Sequence, residues 1–174
     1  MTKSITTTDN DRFTFGFYFQ AVTRLLGEPG RFFEELPEEA GYGEPFGFLL
    51  ISSLFFTGAS LTQIHERPLL MAGIFLVNAV GMPFITAGIS LMVITMAIGK
   101  HVAFARLFAV YAFATGVTLL ASWIPLLIWL TEPWKWILIA KGMVRGCGLR
   151  WRQAILIIVF SVCILVLFFW SLAQ

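Results

Sequence analysis

The chain has 174 residues, 58% of them hydrophobic and only 13% charged, with a net charge of +2 and a mean hydropathy of +0.83. Soluble domains carry about 25% charged residues, so this composition excludes a soluble globule, and the length is one domain's worth. Its apolar runs are continuous rather than alternating, which excludes an outer-membrane barrel, and no basic tract is dense enough for nucleic acid. The expected class is an all-α polytopic membrane protein, a bundle of five transmembrane helices preceded by short amphipathic interfacial helices.

Residues 1–12, MTKSITTTDNDR, are polar and are expected to be disordered. No short apolar core precedes a small-residue cleavage site, so the first span is expected to direct its own insertion. Residues 13–45 read as cytoplasmic amphipathic helices and an acidic linker. Apolar pairs recur every four residues at Phe17-Tyr18, Ala21-Val22 and Leu25-Leu26, which is a helical stripe. With Arg12 and Arg24 near its ends, this segment either lies on the membrane surface or packs the same stripe against the bundle. Gly27-Glu28-Pro29-Gly30 breaks it. Pro29 suits the first position of a second short helix, with Phe32-Phe33 facing lipid or protein and Glu34-Glu35 facing outward. Leu36-Pro37 stops that helix. Glu38, Glu39 and Glu44 make the linker acidic, a solvated loop.

Residues 46–174 form the transmembrane domain. Span one, 46–64, is rich in Ser and Thr, which bond their own backbone or neighbouring helices. His65-Glu66-Arg67-Pro68 is a tight polar loop. Span two, 69–99, contains no charged side chain and exceeds the roughly 20 residues a bilayer core needs. Pro83 interrupts it, and Lys100-His101 ends it. Span three starts at about 102. Its end is open between a turn at Thr131-Glu132-Pro133 and one near Trp123-Pro125. The first is cheaper, since it keeps Glu132 and Lys135 at an interface, and it gives spans of 102–131 and 133–147. Trp129, Trp134 and Trp136 fit an aromatic belt there, and Lys141 would snorkel. A basic loop, 147–152, leads into span five, 154–172. Cys147 and Cys163 lack metal-type spacing and read as small apolar fillers. About 20 Å of helix between them counts against a disulfide.

Five spans put the termini on opposite faces. With the N-terminus cytoplasmic, every Lys and Arg except Arg67 and Lys135 lies inside, as the positive-inside rule requires. Arg24, Arg31, Lys100, Arg106, Arg145, Arg150 and Arg152 become candidate lipid-headgroup contacts. His65 and His101 fall on opposite faces, too far apart to share a metal or haem iron. No nucleophile elbow, Cys-x-x-Cys, HExxH or phosphate loop is present. No catalytic, cofactor-binding or metal-binding residue is therefore assigned, and no cofactor is expected. Polar groups inside span two remain. Asn78, Gly81, Gly88, Met92 and Thr95 share one helical face; Ala79, Pro83, Thr86 and Ser90 share an adjacent one. Asn78, Pro83, Thr86 and Ser90 form a candidate intramembrane polar and kink site. Such a set marks either a cavity lined by freed carbonyls or close helix packing with a bond from Asn78 to a neighbour.

Several stretches together resemble a family. E-P-G-R-F-F-E-E-L (28–36), I-G-K-H-V-A-F-A-R-L-F-A-V-Y-A-F (98–113), W-K-W-I-L-I-A-K-G-M (134–143) and L-R-W-R-Q-A (149–154) resemble, in order and spacing, the Yip domain of Ypt/Rab-interacting proteins. The resemblance covers about residues 20–172. It implies a five-span helical bundle with a cytoplasmic N-terminus. Eukaryotic members of the family bind Rab GTPases in vesicle traffic, and many bacterial members have no assigned activity. The short N-terminal region and the lack of a D-L-Y-G-P-type motif before span one count against Rab-type GTPase binding. They point to a bacterial-type member in the inner membrane. The expected function is non-enzymatic: a scaffold, partner-binding or membrane-organising component whose partners are membrane lipid and other membrane proteins or copies of itself. The alternative is a small channel, permease or lipid translocator built around the kinked second span.

Overall fold

The computed structural model describes residues 15–37, 41–64 and 67–172. The expected disordered segment 1–12, Glu38 and Glu39 of the linker, and His65 with Glu66 lie outside the described residues. Among the described residues there are seven α-helices and no strand: α1 (Phe15–Gly27), α2 (Pro29–Glu34), α3 (Gly43–Leu61), α4 (Pro68–Val93), α5 (Phe104–Ser122), α6 (Pro125–Arg145) and α7 (Trp151–Leu172). A π-helical turn, Ile94–Ile98, extends α4. Four helices are long and apolar enough to cross a membrane: α3, α4 with its π turn, α5 and α7. α6 is as long, but it carries Glu132, Lys135, Lys141 and Arg145.

Prolines set three of the seven starts. Pro29, Pro68 and Pro125 each open a helix, where the missing N–H costs nothing and the fixed φ fits the first turn. The ends are set by glycines in two places. Gly99 (φ 67°) and Gly148 (φ 62°) adopt the left-handed conformation that closes a helix C-terminus with little strain. Gly99 donates to the Ile94 carbonyl, and Leu149, just past Gly148, donates to the Met143 carbonyl. At the start of α7 the Gln153 side chain accepts from the Arg150 N–H at 3.0 Å, half of a capping box.

Two expectations are corrected here. The first is the turn at Thr131-Glu132-Pro133. The chain turns instead at 123–124, and α6 runs unbroken from Pro125 through Pro133. Ile124, extended at φ −89° and ψ 115°, takes the conformation that a residue before proline prefers. The reason for expecting the later turn nevertheless survives. Ser122 Oγ lies 3.1 Å from Thr131 Oγ1, and Gly142 faces Val110, so α5 and α6 run antiparallel in a fixed register. Glu132 therefore sits level with the end of α5. It accepts from Lys135 at 2.7 Å, while Leu126, Trp129 and Leu130 of the first turns stay exposed. The second concerns Pro83, where the sequence leaves a broken and a tilted span both open: α4 is helical straight through it, which removes the break. The departure from α geometry comes at Ile94–Ile98.

α5 is the centre of the bundle. It packs against α1, α3, α4 and α6, while α7 packs on α4 and α6. Every residue from Leu107 to Ala114 is buried, so this part of α5 is enclosed on all sides, as a helix apolar all round should be. Phe113 gathers an aromatic cluster, with ring centroids of Phe32 at 4.9 Å, Phe48 at 5.1 Å and Phe17 at 6.2 Å. Between the two placements left open for the first stripe, α1 takes the packed one. Tyr18, Ala21 and Leu25 are buried, whereas Phe19 and Leu26 point away. Phe32 and Phe33 of α2 likewise face protein.

Candidate functional site

The polar set in the second span divides between the two faces of α4. Pro83, Thr86 and Ser90 are buried against the bundle, whereas Asn78 is exposed on the outer face. The structure does not bring the four together. Thr86 bonds back to the Met82 carbonyl one turn earlier, a local bond that keeps its hydroxyl satisfied inside the helix. Ser90 is the hub of a wholly buried cluster. Its Oγ lies 2.6 Å from Tyr111 Oη on α5 and 2.9 Å from Ser161 Oγ on α7. Three helices are thus joined through hydroxyls in an otherwise apolar core, where an unpaired polar group would be costly. A second hydroxyl pair, Tyr18 Oη to Ser52 Oγ at 3.0 Å, ties α1 to α3. Tyr111, Ser161, Tyr18 and Ser52 were not assigned such roles from the sequence. The available signal was Tyr111, a phenol in mid-span whose hydroxyl must find a partner.

Asn78 lies about 15 Å from the Pro68 end of α4 at 1.5 Å per residue, close to the middle of a bilayer core about 30 Å thick. It lines a shallow apolar groove with Gly73, Ile74, Val77, Gly81 and Ile85. A Cβ added at Gly73 or Gly81 would meet nothing within 4 Å, so this surface is open.

The basic residues behave differently, because the structure collects them at one end. Arg24 pairs with Glu35 at 2.8 Å, Arg31 with Glu28 at 3.0 Å, and Arg145 with Glu34 at 3.7 Å. The Glu28 hydrogen bond and charge hold the Arg31 guanidinium above its ordinary value. Lys100 donates to the carbonyls of Cys147 at 3.0 Å and Gly148 at 2.7 Å. Arg106 reaches the Leu36 carbonyl at 3.5 Å. Arg150 and Arg152 are exposed beside them. Burial pushes the Cys147 thiol up to about 11, against a smaller opposing pull from the Arg106 and Lys100 charges. At the opposite end Gln63 donates to the Trp123 carbonyl at 3.0 Å, joining the α3–α4 and α5–α6 connections. Among the described residues no group of three His, Cys, Asp or Glu is placed to hold a metal ion.

The architecture is that of an integral membrane protein: an all-helical bundle with membrane-length apolar helices and its resolved ion pairs toward the ends. The Yip1 domain family model matches residues 23–173, nearly the whole chain, and the chain belongs to that family. Comparison with curated proteins and with solved structures gives no match.

Proposed function

We propose that this chain works by assembly: a non-enzymatic scaffold, partner-binding or membrane-organising component. Asn78 carries that reading. Its amide is exposed at mid-depth on the outer face of an uncharged helix, in a groove opened by Gly73 and Gly81. In hydrocarbon an amide gains from a partner, and small residues let a second helix approach closely. The partner is another copy of the chain or another membrane protein. The buried placement of Pro83, Thr86 and Ser90, with α4 continuous through them, supports packing over a pore.

In the proposed topology α6 is the fifth crossing, the N-terminus is cytoplasmic and the C-terminus is outside. The antiparallel register with α5 supports this. So does charge: Lys100, Arg106, Lys141, Arg145, Arg150 and Arg152 fall at one end and Arg67 and Lys135 at the other, as the positive-inside rule asks. The cytoplasmic end then offers Arg24, Arg31 and the cations above to anionic headgroups. The proposed membrane is the bacterial inner membrane, a placement supported by the lack of a D-L-Y-G-P-type motif ahead of α3.

Replacing Asn78 with Leu tests the reading. Association, measured by single-molecule photobleaching in vesicles, should fall about five- to thirtyfold, since an interhelical polar bond of about 1–2 kcal/mol is removed. The unfolding midpoint of the isolated chain in detergent should stay put. Unchanged association, together with the loss of a solute or lipid flux in folded protein, would instead favour the channel, permease or lipid translocator.

A further inference from the structure

A cleft of about 530 Å3 opens at the basic end of the bundle, between the end of α4, the start of α5 and the end of α6. That volume lies within the range of about 300–1,000 Å3 usual for ligand sites. Lys100, His101, Arg106 and Arg145 line it together with the turn 146–148, and among the described residues the lining includes no carboxylate. Glu34, 3.7 Å from Arg145, is the acidic group whose pairing with a lining cation is resolved.

Each cation is held differently. Lys100 is anchored by the carbonyls of Cys147 and Gly148, which use two of the three ammonium protons and leave the third for a ligand. Gly148 makes this close approach possible, since a Cβ there would stand 3.2 Å from Lys100 Nζ. Arg145 keeps only the loose Glu34 pair, and its side chain remains 60% exposed. His101 is exposed. Arg106, engaged with the Leu36 carbonyl, adds charge to the wall. Ala103, which also lines the cleft, is the N-cap of α5 and supplies no side-chain cap, so the positive end of that helix dipole lies at the same place.

We infer that this cleft binds a phosphate group, supplied by an anionic lipid headgroup or by a free phosphate. Gathering Lys100 and Arg145 around one cavity is unfavourable by repulsion, and an anion relieves it. A point charge from Lys, a planar fork from Arg and a helix N-terminus approaching from separate directions suit a tetrahedral oxyanion better than a planar carboxylate. The lipid source rests on the proposed topology, which puts this end at the anionic leaflet.

The test uses the full chain in neutral detergent, with retention read by native mass spectrometry. Dioleoylphosphatidic acid, dioleoylphosphatidylcholine and inorganic phosphate are the probes. Phosphatidic acid should be retained at least about tenfold more strongly than phosphatidylcholine, and Lys100→Gln combined with Arg145→Gln should remove that preference. Arg67→Gln, a cation at the opposite end of the bundle, should leave it within about twofold. Displacement of the lipid by millimolar inorganic phosphate assigns the site to the free ion; retention of the lipid against it assigns the site to the headgroup. Equal retention of both lipids with no phosphate retained, or a Lys100→Gln/Arg145→Gln variant that binds like the parent, overturns the inference. If Lys100→Gln fails to fold, Arg145→Gln alone carries the test, because it removes only a loose exposed pair. An outside-only reporter fused near Lys100 should be inactive, and one fused after Gln174 active. The reverse pattern would overturn the topology while leaving retention in detergent unaffected, so the two failures are distinguishable.

Discussion

α4 and α5 invert the usual relation between hydrophobicity and burial. α4 with its π turn is the longer and more apolar helix, yet only 11% of its most apolar window is buried, against 61% for α5. In water the more apolar helix would lie inside. In lipid the solvent is itself apolar, so hydropathy records contact with the bilayer, and the interior is chosen by fit. α5 supplies that fit with the small residues Ala109, Ala112, Ala114 and Gly116 interspersed with Phe108 and Phe113. Its Gly116 lets the Phe48 ring come within 2.7 Å of where a Cβ would be.

The largest expected effect comes from glycine substitutions, one on α6 where it packs against α5 and one on α4. A Cβ at Gly142 would stand 2.5 Å from Val110 Cγ1 on α5, and a β-branched neighbour cannot easily swing away. Gly142→Ala should destabilise the bundle by about 1–3 kcal/mol through overpacking, seen as a lower unfolding midpoint in detergent. Gly81→Ala on α4 meets nothing and should change stability by less than about 0.5 kcal/mol. Equal losses at the two sites would erase the contrast between core and periphery.

Next in size is Tyr111→Phe. Removing the hydroxyl takes one partner from Ser90 and leaves Ser161. The expected cost is about 0.6–1.7 kcal/mol, from the average to the maximum measured for hydrogen bonds between membrane helices. A double-mutant cycle with Ser90→Ala should give a coupling of that size; no coupling would mean that the cluster merely fills space.

The smallest effect concerns Cys147, just behind the core. Its thiol rises from about 9 to about 11 in the folded chain, so the folded state holds that proton more tightly than the unfolded state. The resulting stabilisation is complete below pH 9 and is lost as the pH climbs toward 11. Iodoacetamide should accordingly alkylate folded Cys147 more slowly than the denatured chain at pH 9. Equal rates would show that the thiol is not shielded.

The sequence exposed much of the helical layout. Pro29 marked a start because a proline at a first helical position has one favoured meaning, whereas Pro68 read as the end of a polar loop, and the basic residues predicted which ends would lie together. Pro83, Pro125 and Pro133 were harder, since a proline reads as a break unless its neighbours hold the helix, and that depends on packing. Ser122 meeting Thr131 decided the turn, a contact between residues whose spacing carries no signal. Asn78 and Ser90 show the same limit at the candidate site. Both are polar groups in one apolar run, but which faced lipid and which faced Tyr111 depended on where α5 and α7 would pack.

The Ser90 cluster also bears on how the molecule is made. Helices leave the ribosome in order, so α4 and α5 can form their Ser90–Tyr111 bond while α7 is still being synthesised. Ser161 arrives last and completes the cluster between helices already in place. A nascent chain stopped before Trp151 would therefore keep its central pair of hydroxyls satisfied, and the final helix would dock onto a prepared polar socket rather than nucleate one.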